Sequence, residues 1–195
     1  MAKGISLIIS GPSGVGKDTL ADLLRRNFPV IRESVSCTTR PPRPGEYDGV
    51  DYHFMTREAF DRLREEGGLA ECAMVHGQWY GTPLAPLKKA VLEGANIIFV
   101  LDVTGAMNLK KSFDEHGIPC LTVFLMPPSL EETERRMRAR GGDSEETVRL
   151  RVKNAAEEMK AADKFDEVIL NDDLNVAYGR LEEVFLARHR AAQKQ

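Results

Sequence analysis

No stretch of this 195-residue chain has the ~20 consecutive apolar residues that cross a bilayer, so no membrane partner is expected. Cysteine is scarce: Cys37, Cys72 and Cys120 are scattered and odd in number, with no paired metal spacing. That excludes a disulfide framework and points to reduced thiols in a cytoplasmic protein. An excess of positive charge is also missing, with 27 Lys and Arg against 30 Asp and Glu and a net charge of −3. General nucleic-acid affinity needs a basic surface, so it is not expected, and any basic patch must be local. There is no internal repeat and no low-complexity segment. The opening Met1-Ala2-Lys3-Gly4 runs straight into the first apolar run, so no signal peptide is expected. What remains, 42% apolar and 29% charged residues, is ordinary for a globular chain long enough to bury a substantial core as one domain.

The most informative stretch is residues 5–20, ISLIISGPSGVGKDTL. Its β-branched apolar opening reads as a buried strand. The spacing Gly11-x-x-x-x-Gly16-Lys17 follows, which is the phosphate-binding loop pattern except for its last position. Gly11, Gly14 and Gly16 allow the tight backbone that turns the N–H groups of Pro12-Ser13-Gly14-Val15-Gly16-Lys17-Asp18-Thr19 toward one anion, proline excepted. A helix opening near Lys17 adds the positive end of its dipole, and Lys17 itself adds a mobile charge for nucleotide phosphates. The pattern asks for Ser or Thr where this chain has Asp18. Two readings of Asp18 stand: a carboxylate that binds Mg²⁺ directly or through water, or a first-turn acid that only stabilises the helix.

Residues 30–54 are broken by proline and glycine and carry Arg40 and Arg43. On the residues alone this is either a solvated loop or a stiffened one that presents two arginines to a second anion. The wider pattern decides more. Ser34-x-Ser36-x-Thr38-Thr39-Arg40-x-x-Arg43-x-x-Glu46-x-x-Gly49-x-x-Tyr52-x-Phe54 resembles the nucleoside-monophosphate loop of the guanylate kinase family. The resemblance continues through Glu71, His76-Gly77-x-x-Tyr80-Gly81-Thr82-Pro83, Asp102, Arg136-x-x-x-Arg140-Gly141 and Asn171-Asp172-Asp173-Leu174. One family feature is absent: Val100 stands where many relatives carry a second acid, two residues before Asp102.

The resemblance implies an acceptor site for GMP lined by Ser36, Arg40, Arg43, Tyr52, Glu71, Tyr80, Thr82 and Asp102, with Glu71 accepting from the guanine edge. It implies an ATP site made of the phosphate loop with Arg136 and Asn171. Arg136, Arg140 and Arg151 would close over the transferred phosphoryl group with Lys17. By composition alone Glu71 is equally a water-facing strand carboxylate, and Asp102 equally a helix cap.

The remaining segments supply the frame. The pattern predicts helices over 17–26, 56–66 and 83–93, hairpin strands within 69–82, and buried strands over 96–103, 119–126 and 165–170. A helix capped by Ser129 should be followed, after Gly141-Gly142, by one opened at 143–146. A terminal helix is expected over 176–186, with a frayed polar tail over 189–195.

These signals predict an α/β fold: a P-loop three-layer sandwich with a mostly parallel central sheet. One domain is expected over 1–195, with a core over 4–34, 84–135 and 153–188, a GMP-binding lobe over 35–83 and a lid over 136–152. The implied activity is transfer of the γ-phosphoryl of ATP to GMP, with Mg²⁺ as cofactor and the small molecules ATP and GMP as partners. Monomer and homodimer both stay open. Two rivals are a kinase of another phosphorylated acceptor, such as a ribose bisphosphate, and a binding module that has lost catalysis.

Overall fold

The structure, a computed structural model, describes residues 4–75, 77–140 and 144–194, and for Val75 and Arg140 the backbone alone. Its elements are, in order, β1 (Ser6–Ser10), α1 (Lys17–Asn27), β2 (Ile31–Glu33), β3 (Cys37–Thr38), β4 (His53–Phe54), α2 (Arg57–Glu65), β5 (Leu69–Val75) and β6 (Gln78–Pro83). There follow α3 (Leu84–Leu92), β7 (Asn96–Val100), α4 (Val103–His116), β8 (Cys120–Met126), α5 (Leu130–Arg140), α6 (Glu145–Met159), a 3-10 turn (Ala162–Lys164), β9 (Glu167–Leu170) and α7 (Leu174–Ala192).

β1 lies at the centre of a sheet ordered β2-β7-β1-β8-β9, and every pairing in it is parallel. Helices on both faces leave β1 no solvent side, which is why its apolar run is continuous. Alternate side chains go to opposite faces. Leu7 and Ile9 join a core with α1 and α7, through Leu20, Leu24, Leu181 and Phe185. Ile8 joins the other core with α3 and α4, through Leu87, Val91, Leu109 and Phe113.

A second sheet, ordered β4-β3-β6-β5, stands off the first. It is mixed, with β3 parallel to β4 and the other pairs antiparallel. α2 closes it: Phe60 is fully buried and stacks on Trp79 with ring centroids 5.8 Å apart, while Arg57 and Arg64 lie over the Trp79 ring.

Some boundaries move from those expected. The run at 96–103 stops being strand at Val100, because Asp102 caps α4 by accepting from the Gly105 N–H at 2.7 Å. The tail expected to fray is helical to Ala192. Tertiary contacts hold it: His189 stacks on Phe185 at 5.8 Å, and Arg188 Nη2 donates to the Cys120 carbonyl at 3.1 Å. The expected break at Gly141-Gly142 lies outside the described residues, as does His76. All three cysteines are free, and burial pushes the Cys37 and Cys120 thiols up to about 11.

Candidate active site

The phosphate loop joins the carboxyl end of β1 to the start of α1, the end of a parallel sheet where ligands bind. Gly16, which precedes α1, has φ 94°, and Gly11 has φ 141°. A Cβ at Gly11 would come within 2.4 Å of the Leu125 carbonyl oxygen, and one at Gly16 within 2.9 Å of Asn171 Nδ2. The glycines are therefore demanded by close backbone approach as well as by dihedral. Lys17 folds back over the loop and donates to the carbonyls of Gly11 at 2.7 Å and Pro12 at 3.1 Å. Burial pushes the Lys17 ammonium below the usual lysine range, and the carboxylates of Glu158, Asp18 and Asp102 oppose that shift.

A cleft of about 350 Å³ opens over this loop, lined by Ser13, Gly14, Gly16, Lys17, Asp18, Thr19, Arg136, Met137 and Arg151. A second, also about 350 Å³, runs between the two sheets and contains Ser36, Tyr52, Glu71 and Thr82. Asp18 lines both clefts, so the two meet at the first turn of α1.

In the second cleft Glu71 accepts from the Thr82 hydroxyl at 2.7 Å. Burial pushes its carboxyl above the usual range, Thr82 opposes this, and Asp102 adds to it. Arg40 is held by a two-pronged ion pair, its Nη1 and Nη2 donating to Glu46 at 2.6 and 2.8 Å. Its guanidinium also lies 5.2 Å from the centroid of the Tyr52 ring and 5.5 Å from that of Phe54. The hydrogen bonds from Arg40, and then the Arg43 N–H, bring the Glu46 carboxyl down to about 2. Tyr52 and Tyr80 touch edge to face at 5.9 Å. Arg43 is exposed at the rim.

On α5, Arg136 Nε donates to Glu132 at 2.7 Å and Nη1 to the Asn171 carbonyl at 3.0 Å. Arg135 shares the same Glu132, whose carboxyl falls to about 2 through these hydrogen bonds. Asn171, placed by the resemblance in the ATP site, is buried, and its Nδ2 donates to the Val15 carbonyl of the phosphate loop at 2.6 Å. Asp102 is exposed and caps α4, yet its charge is felt by Lys17, Glu71 and Glu158. The Arg140 side chain lies outside the described residues.

The sequence reading left Glu46, Glu132 and Glu158 without a role. The first had a signal, since it stands inside the quoted loop pattern. The other two belong to helices whose acids look like solvated charge until the fold turns them inward. Among the described residues no group of three or more His, Cys, Asp or Glu is arranged to hold a metal ion.

The pattern of the guanylate kinase family matches residues 3–188. A guanylate kinase of Nitratidesulfovibrio vulgaris is 49% identical over 183 residues, 94% of this chain and 86% of that protein. One from Synechococcus sp. is 45% identical and covers 90% of each chain. The crystal structure of guanylate kinase from Anaplasma phagocytophilum superposes with a TM-score of 0.64 at 33% identity, covering 100% of this chain and 89% of that one.

Proposed function

The chain belongs to the guanylate kinase family and is an enzyme that transfers a phosphoryl group from ATP to GMP, giving ADP and GDP, and from that premise we propose how its residues divide the work. The observation that carries the assignment is the pair of clefts meeting at Asp18, one over a phosphate loop and one around a half-buried glutamate. Two phosphate groups held from opposite sides of that junction are placed for in-line transfer.

The phosphate-loop cleft takes ATP. Backbone N–H groups and Lys17 hold its phosphates, and Arg136, Arg140 and Arg151 neutralise the charge that spreads over the transferred group. The second cleft takes GMP. Glu71 and Thr82 face the guanine edge, with Ser36 beside them. Arg40, Arg43, Tyr52 and Tyr80 hold the GMP phosphate, and Glu46 keeps Arg40 in register. No general base is required, because the attacking phosphate oxygen is already anionic.

Mg²⁺ is the proposed cofactor. The oxygen ligands it prefers are present as Asp18, which lines both clefts, and as Asp102, whose charge is felt by the same Lys17. When bound it would offset triphosphate charge. We further propose one domain with a GMP-binding lobe over 35–83 and a lid over 136–152, acting in the cytoplasm in purine nucleotide metabolism. No helix among the described residues is long and apolar enough to cross a membrane.

The test is ADP release from ATP with GMP, AMP and sugar phosphates offered side by side. Turnover with GMP alone supports the assignment; equal or better turnover with a sugar phosphate would replace it. Silence with every acceptor would point to a module that binds without catalysis.

A further inference from the structure

An anion-binding loop works only while its N–H groups point at the anion. The peptide joining Val15 to Gly16 is able to turn over, because Gly16, at φ 94°, has no side chain to oppose either orientation. In a trans peptide the carbonyl and the N–H point in opposite directions, so whatever holds the Val15 carbonyl also aims the Gly16 N–H. Asn171 holds it, its Nδ2 donating to that carbonyl at 2.6 Å. A carbonyl only accepts, which fixes the end of the amide that faces it. Asn171 is 5% exposed and packs so closely that a Cβ at Gly16 would come within 2.9 Å of Nδ2. Its own backbone is pinned just past the end of β9. The Asn171 N–H donates to the Met126 carbonyl of β8 at 2.8 Å, and the Asn171 carbonyl accepts from Arg136 Nη1 at 3.0 Å. Gly16 and Arg136, which Asn171 thus joins, both line the cleft over the loop.

We propose that Asn171 is a positioning residue of the donor site: its side-chain amide locks the Val15–Gly16 peptide with the Gly16 N–H turned toward the nucleotide phosphates, while its carbonyl holds Arg136 in the same frame. The proposal rests on reading this cleft as the ATP site. Without the amide the Val15 carbonyl loses its buried partner, and turning the peptide toward the water of the cleft restores one. Affinity for a phosphate chain then falls with the fraction of protein in which the peptide has turned. The grip is on backbone, so it acts on any phosphate chain whatever base the chain carries. A contact with adenine would act on adenine nucleotides alone.

The experiment measures ADP binding by calorimetry, and the displacement of ADP by inorganic tripolyphosphate, for the wild type, Asn171→Ala, Asn171→Asp and Lys17→Ala. GMP binding is measured on the same samples and reports that the fold is kept. Asn171→Ala is expected to weaken ADP and tripolyphosphate alike, by roughly tenfold, the size of a lost buried hydrogen bond, with GMP affinity near wild type. Asn171→Asp sets one acceptor against another. It should bind ADP as weakly as Asn171→Ala at pH 8, and recover toward the wild type measured at the same pH as the carboxyl is protonated and donates in place of the amide. A ratio to wild type that stays flat down to pH 5.5 would mean that the Val15 carbonyl needs no donor. If Asn171→Ala weakens ADP and leaves tripolyphosphate unchanged, Asn171 contacts the adenine and the lock is overturned. If neither ligand weakens while Lys17→Ala still abolishes binding of both, the donor site stands and the role of Asn171 falls. If the wild type binds neither, both fall.

Discussion

Glu71 sits where a carboxylate is costly, half-buried and within the field of Asp102. In the proposed acceptor site guanine would repay that placement with two N–H donors, whereas adenine presents a lone pair at the same edge. Glu71→Gln should therefore collapse the preference for GMP over AMP, in a site where lost hydrogen bonds cost a factor on the order of 10⁴. The ratio of kcat/KM values for the two nucleotides reads it. The sign of the pKa shift adds a second expectation. A raised carboxyl pKa makes the neutral form the more stable one in the fold, so ionised Glu71 lowers stability at neutral pH and Glu71→Gln should raise the melting temperature there. Glu46 behaves oppositely. Its carboxyl, brought down from 4.5 to about 2, adds stability that is complete above about 4.5 and lost as pH falls toward 2. Positioning of Arg40 should thus be insensitive to pH across the neutral range. Glu46→Ala should raise KM for GMP about tenfold with a smaller change in kcat, since it releases the arginine proposed to hold the GMP phosphate without removing it. An unchanged KM would mean that Arg40 needs no tether.

At the scale of elements, the phosphate loop and the helices α5 and α6, proposed as a lid, would carry the function through different physics. The loop works by close approach. At Gly11 a methyl group meets the Leu125 carbonyl of β8 at 2.4 Å, on a backbone with φ 141°. Gly11→Ala should cost about 2 kcal/mol or more of stability and be seen as a lower urea midpoint. The proposed lid would work by charge. Arg136 is tethered by Glu132 and the Asn171 carbonyl, so it is already held near the loop. Arg140→Ala should lower kcat by on the order of 10³ with little change in GMP affinity at equilibrium. Loss of GMP binding with kcat intact would move Arg140 to the acceptor site. These elements were legible because each has a local cause. Thr56 accepts from the Ala59 N–H at the start of α2, and Ser144 accepts from the Thr147 N–H at the start of α6. The end of α7 was not legible, since His189 and Arg188 look like tail residues until Phe185 and the Cys120 carbonyl are beside them.

At the scale of the molecule, two cores press on one parallel sheet, and α7 seals the one beneath the phosphate loop. Phe185 is the keystone of that seal, 1% exposed and 5.6 Å from the Phe28 ring at the end of α1. Phe185→Ala should cost ~3–5 kcal/mol and lower the melting temperature by roughly 10 °C, measured calorimetrically. Loosening α1 should weaken ATP binding more than GMP binding. What the sequence determined by itself was whatever short-range sterics and periodicity encode. A β-branched run, three glycines and a lysine compel a strand, an anion-binding turn and a helix in that order, while the acceptor side with Arg40, Arg43, Tyr52 and Glu71 came from the resemblance to the guanylate kinase family. Only the tertiary structure decided which polar groups meet. Asn171 reaches back across 156 residues to the Val15 carbonyl, and Arg188 reaches back to the Cys120 carbonyl. No local rule reports such pairings, because they exist only once parallel strands have brought distant segments to one edge of the sheet and burial has made each unpaired polar group expensive.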